Sequence, residues 1–279
     1  MVSLGTKVVL YGGADRAPTP FEGARPHASP PRAPRAPGTL PPLHSLAASA
    51  LESRWARPAV PADLWVLDTE ADIYAWTKIT PEPSEIDPLP RGGATMTVVQ
   101  GRIWMFGGQD PLSGISFADF VVLDPSTWSW SRPQMRGEPP PSRHSHVAGV
   151  CRDRLVVVYG GAGTMGTLGD VWLFDTEALV WSRPSISGPT PPAREMAAGC
   201  MLAGDRLFVH GGRGAQGQVL SDVAILDLEQ MRWVVLQLTP YPRCAHTVVA
   251  LQVVYGDEEE QQAENGSHSR SQDRSHETG

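Results

Sequence analysis

The chain is short of the features that mark a secreted, membrane-spanning, zinc-binding or nucleic-acid-binding protein. Its 279 residues include three cysteines, Cys151, Cys200 and Cys244. Three cannot build a disulfide framework for a chain of this size, and they suit buried thiols in a reducing compartment. No Cys-x-x-Cys or His-x-x-x-His spacing occurs, so the usual zinc patterns are missing. No apolar run approaches the roughly 18 residues that cross a bilayer as a helix. The opening MVSLGTKVVLYGG has no signal-peptide apolar core or small-residue cleavage site. A formal net charge of −7 provides no pull toward nucleic acid or anionic lipid. The expectation is a cytoplasmic or nuclear protein with neither nucleic-acid nor membrane partners.

What is present is periodic. The runs KVVLYGG, RIWMFGG, RLVVVYGG and RLFVHGG each close on a diglycine: Gly12-Gly13, Gly107-Gly108, Gly160-Gly161 and Gly211-Gly212. A polar loop follows each pair, then a strand-like run ending at Asp68, Asp124, Asp175 or Asp227, then Trp76, Trp130, Trp181 or Trp233. The last three diglycines are 53 and 51 residues apart, the last three tryptophans 51 and 52. Short runs rich in Val, Leu and aromatics, bounded by Gly, Pro and Asp, are strands rather than helices. Four strands in a period near fifty predict an all-β propeller, one blade per repeat. In such an array the diglycines serve architecture, where a side chain would clash or φ is positive. Trp130, Trp181 and Trp233 should be buried between blades.

Complete blades are expected at 90–137, 141–187 and 192–238. Residues 1–13 and 63–80 form a partial N-terminal blade with no first strand of its own, and 241–256 a partial C-terminal blade. Pairing the C-terminal strand with the N-terminal three would remove both raw edges. The total is then about four blades, in a ring that closes this way or stays incomplete. Residues 14–62 are rich in Pro, Ala and Arg and lack the apolar surface needed to fold, which predicts a disordered insertion. Pro31, Pro34 and Pro37 have polyproline spacing, but no basic residue stands where an SH3 ligand needs one. Residues 257–279 read as a disordered tail.

The combination of Pro-x-Arg, a first strand, an apolar run ending Gly-Gly, a strand ending in Asp and a Trp resembles the kelch repeat family. The resemblance covers 90–251 well and 7–13 plus 63–80 in part. It implies a kelch β-propeller with the Arg-bearing strand innermost and the Trp-bearing strand outermost. Family propellers usually have five to eight blades, so four suggests a truncated or alternatively spliced form of a longer protein.

The dinucleotide pattern Gly-x-Gly-x-x-Gly occurs at 161–166 and again at 212–217, but strand patterns follow where the fingerprint needs a helix. Loop glycines at equivalent repeat positions explain both. His144, His146, His210 and His246 lack metal-ligand spacing. The copper constellation of galactose oxidase-like kelch enzymes and the iron motif of plant specifier proteins are not found. No catalytic residue, cofactor or metal is therefore expected. Arg91, Arg143, Arg194 and Arg243 recur at the entry to each first strand. They either anchor turns through backbone carbonyls or, as the resemblance implies for kelch domains that bind acidic peptides, look into the central opening and grip carboxylates. With His144, Arg213 and Gln216 they form the candidate partner-binding set, beside the loops 109–118, 162–169 and 213–221. The expected function is non-enzymatic binding of a protein partner, an acidic segment among the candidates. The alternatives are a substrate-recruiting subunit of a ubiquitin ligase and a metal-dependent kelch-type enzyme.

Overall fold

The computed structural model describes residues 2–11, 63–84, 86 and 88–251. Gly12, Gly13, the insertion 14–62, the last residues of the 241–256 partial blade and the tail 257–279 lie outside the described residues.

Four antiparallel four-stranded sheets follow one another along the chain. The first holds β1 (Val2–Leu4), β2 (Lys7–Tyr11), β3 (Leu64–Asp68) and β4 (Trp76–Ile79). The second holds β5 (Thr95–Val99), β6 (Arg102–Phe106), β7 (Phe120–Asp124) and β8 (Ser129–Ser131). In the third, β9 (Val147–Cys151) and β10 (Leu155–Tyr159) are followed by a small hairpin, β11 (Ala162–Gly163) and β12 (Gly166–Thr167), and then by β13 (Val171–Asp175) and β14 (Val180–Ser182). The two-residue strand β15 (Arg194–Glu195) precedes the fourth sheet, β16 (Ala198–Leu202), β17 (Arg206–His210), β19 (Val223–Asp227) and β20 (Arg232–Leu236). β18 (Arg213–Gly214) pairs back with β15. The dinucleotide-like stretch at 161–166 therefore opens a hairpin, not a helix.

The innermost strands β1, β5, β9 and β16 neighbour one another in succession, the arrangement of propeller blades. Successive side chains of a strand face opposite sides of its sheet, so the second strand of each blade feeds two cores. Val156 and Val158 of β10 pack with Trp104, Phe106, Phe120 and Trp181 toward the second blade, whereas Val157 and Tyr159 pack with Leu207, Val209 and Trp233 toward the fourth. A third cluster joins Val9, Tyr11 and Leu64 to Ile103, Met105 and Trp130. Three apolar cores thus hold four consecutive blades, and each of Trp130, Trp181 and Trp233 faces the blade before its own.

Two readings of the ends need correction. The first blade has an inner strand of its own: Val2–Leu4 pairs with β2 through Val2↔Val9 and Leu4↔Lys7. Three residues with one alternation are too short a run for periodicity to register as a strand. Residues 241–251, read from sequence as a first strand, form none and do not pair with the first blade's strands.

Candidate binding face

The second, third and fourth blades are each entered through a turn that carries a buried arginine. Arg143 donates from Nε to Pro141 O at 3.1 Å and from Nη1 to Gly160 O at 3.0 Å. Its fork also meets Asp170 in a bidentate pair at 2.8 and 3.0 Å. Arg194 repeats this with Pro192 O, Gly211 O and Asp222, and Arg91 with Leu89 O, Gly107 O and Asp119. The three side chains are 0–1 % exposed. Burial pushes the Asp170 carboxyl up, but the hydrogen bonds from Arg143 and Trp172 outweigh it and hold the group below the usual carboxylate range. The arginine therefore ties a blade's entry to the end of its second strand and the start of its third.

The expectation that Arg91, Arg143 and Arg194 grip a partner's carboxylates is corrected by this geometry. Their guanidinium groups are buried and bonded inside the fold, through Nε and Nη1 in all three and through Nη2 as well in Arg143 and Arg194. Sequence spacing places the arginine but is blind to the aspartate waiting about 28 residues later in the same blade, as Arg91 and Asp119 illustrate. Arg243 differs: it is exposed, and it forms no ion pair among the described residues.

The diglycines shape the second-strand ends. Gly160 and Gly161 have φ of 66° and 95°. A Cβ on Gly161 would sit 2.6 Å from His144 O, so this backbone admits no side chain. Gly107-Gly108 and Gly211-Gly212 have the same left-handed signature. The loop after each pair is stitched to the next entry turn. Gly108 N donates to Arg143 O at 2.8 Å and Arg143 N to Phe117 O at 3.0 Å; Gly161 N donates to Arg194 O and Arg194 N to Leu168 O. The loops 109–118, 162–169 and 213–221 and the entry turns consequently share one end of the blades.

The remaining candidate residues lie on that end. His144 is half-buried, its Nδ1 3.1 Å from Ser145 Oγ. Arg213 is partly exposed but already engaged by Glu195 at 2.7 and 3.0 Å. Gln216 is exposed at the tip of its loop. Apolar loop residues were missed from sequence: Ile115 is 64 % and Met165 96 % exposed, Leu112 shares the loop of Ile115, and Val219 lies in the corresponding loop of the fourth blade. An apolar residue beside a loop glycine, as Ile115 is beside Gly114 and Met165 beside Gly166, was the available signal.

The histidines turn inward. His146 is buried and its Nε2 lies 2.7 Å from Thr95 Oγ1, while His210 Nδ1 and His246 Nε2 are 2.9 Å apart. Burial, followed by the charge of Arg143, drives the His146 imidazole down to about 3. No group of three potential metal ligands converges among the described residues.

A family model described as the KLHDC2/KLHL20/DRC7 Kelch-repeats domain matches residues 54–256. The chain belongs to the kelch-repeat family. This kelch chain is 30 % identical to Host cell factor of Drosophila melanogaster over 222 residues, 66 % of this chain and 15 % of that protein. It is 27 % identical to Acyl-CoA-binding domain-containing protein 4 of Arabidopsis thaliana over 179 residues, 64 % of this chain and 26 % of the other. It is 27 % identical to Host cell factor 1 of Homo sapiens over 227 residues, 68 % and 11 % of the two chains. The kelch chain thus spans about a quarter or less of the length of these relatives. Membership in the family implies a protein-interaction module built on a β-propeller.

Proposed function

We propose that this kelch chain is a non-enzymatic module that binds a protein partner across the loop end of its second, third and fourth blades. The observation that carries the reading is the contrast at that end: backbones are pinned blade to blade, yet Ile115 and Met165 project almost unburied from them. Isolated apolar side chains on a surface are ordinary, but large ones on rigidly held loops of successive blades suit a partner's apolar side chains. With Arg91, Arg143 and Arg194 internal, apolar contact is favoured over capture of an acidic segment. Affinity capture with the wild-type chain and with Ile115→Asp/Met165→Asp tests this. The expected result is loss of the captured set with an unchanged melting temperature. An identical captured set places binding elsewhere.

A further inference from the structure

The blade stack has two uncovered ends, and they match. On the first blade, Val8, Leu10, Trp65 and Leu67 occupy the repeat positions of Val156, Val158, Trp172 and Phe174, which are 0–5 % exposed in the third blade. Here they are only half-buried, and Trp76 is 44 % exposed where Trp130, Trp181 and Trp233 are 2–3 %. On the fourth blade, Phe208 and Ile225 stand where Val157 and Leu173 lie buried in the third, and both are half-buried. One end offers the face that each blade turns to its predecessor, the other the face it turns to its successor.

The charges match as well. Asp63 holds the repeat position of Asp119, Asp170 and Asp222, one residue before the third strand. No entry-turn arginine reaches it; its ion pair among the described residues is with the half-exposed Lys78. Arg243 is the converse, an entry-turn arginine without an aspartate. Its turn is nevertheless built and docked on the fourth blade: Arg243 N donates to Leu220 O at 3.1 Å, Gly212 N to Arg243 O at 2.9 Å and Ala245 N to Met196 O at 2.9 Å. These repeat the bonds Arg194 N to Leu168 O, Gly161 N to Arg194 O and Met196 N to Ser145 O. Ala245 even keeps the positive φ, 53° against 54° at Met196 and Ser145.

The inner-strand register completes the fit. Val157 pairs with Gly149, and its repeat equivalent Val9 pairs with Val2. Strand β1 therefore begins at the third position of a full inner strand. Among the described residues no entry turn precedes the first blade. Thr247 and Val248, which follow the Arg243 turn, hold the repeat positions of Val147 and Ala148, the residues that open a full inner strand.

We infer that two copies of this chain associate end to end, the fourth blade and Arg243 turn of each seating on the first blade and Asp63 of the other. Two such contacts close a ring of eight sheets with two-fold symmetry, repeating twice more the interface already present three times within the chain. Closure within one copy would have to bring its own first and fourth blades together, and the exposed Trp76 shows that face open. Blade-to-blade association of this kind does not depend on what the loop end binds.

Light scattering on the full chain should return about 60 kDa, twice the 30.1 kDa protomer. Arg243→Asp and Asp63→Arg, each alone, should raise the dimer dissociation constant at least a hundredfold, since both contacts are lost. Mixing the two variants should restore a dimer, because each copy then supplies the other's complement. A double variant in one chain should also dimerise. Trp65→Glu, whose side chain lies on the solvent-facing end of the stack, is the second probe and should yield a folded monomer by circular dichroism. A wild-type monomer at tens of micromolar would overturn the inference. So would single charge variants that dimerise like wild type, mixed variants that stay monomeric while the double variant closes on itself, or mass rising with concentration past two copies.

Discussion

Arg143 and Asp170 form a two-pronged ion pair whose guanidinium is wholly buried, with the remaining donors on Pro141 O and Gly160 O. The pair joins the start of a blade to its third strand across 27 residues, and its counterparts Arg91–Asp119 and Arg194–Asp222 brace the second and fourth blades in the same way, independently of the sheet hydrogen bonds.

Arg143→Ala should destabilise the protein by about 3–5 kcal/mol, because it leaves the partly buried Asp170 carboxylate and Gly160 carbonyl without their donor. Arg143→Lys should recover only a small part, since an ammonium cannot span both carboxylate oxygens and a carbonyl. Chemical denaturation measures both, and a lysine variant as stable as wild type would remove the bidentate geometry from the account.

Gly161→Val should lower the melting temperature steeply. The residue sits at φ 95° with a carbonyl 2.6 Å from the position of its Cβ. Backbone strain of this kind costs about 1–3 kcal/mol before the clash is counted. An unchanged melting temperature would mean that the diglycine is not sterically required.

Trp181→Ala should cost about 3–5 kcal/mol, as full truncation of a buried aromatic does. The ring stacks on Phe120 at 5.4 Å and touches Phe106 and Phe174. Its Nε1 has no hydrogen-bond partner among the described residues, so Trp181→Phe should be far milder than the alanine change. Native fluorescence dominated by water-exposed indole would contradict the burial of the three inter-blade tryptophans.

Stability should fall as pH drops from 7 to 5. His146 is held to about 3 in the folded chain against 6.5 ordinarily, so below pH 6.5 the unfolded state takes up a proton that the folded state refuses. The stability this histidine contributes is fully present above pH 6.5 and is lost as pH falls toward 3. At pH 5 the loss from His146 alone is about 2 kcal/mol. Burial moves His210 and His246 in the same direction. Melting curves of wild type and His146→Asn across this range should diverge in slope; parallel curves would exclude the histidine.

The repeat was legible because strand alternation and loop glycines leave local marks. KVVLYGG and its three counterparts are nearly unbroken apolar runs after their opening Lys or Arg, the mark of a strand that feeds a core on each face of its sheet, and the diglycines betray a backbone that tolerates no Cβ. From those marks follow the all-β class and the phase of the blades; the recurring Pro-x-Arg, Asp and Trp add the resemblance to the kelch family. The role of Arg143 was not local. Whether a guanidinium meets solvent or a carboxylate depends on Asp170, brought beside it by two strand reversals, and composition is blind to that. The same holds at the ends. The three residues of Val2–Leu4 have no pattern of their own and become a strand because β2 offers an unpaired edge. Sequence by itself determined the repeating unit, whose interactions lie within one period. Only the tertiary structure decided which arginines are consumed, which apolar faces stay open and what Arg243 and Asp63 lack, because those depend on the neighbour each blade has in space.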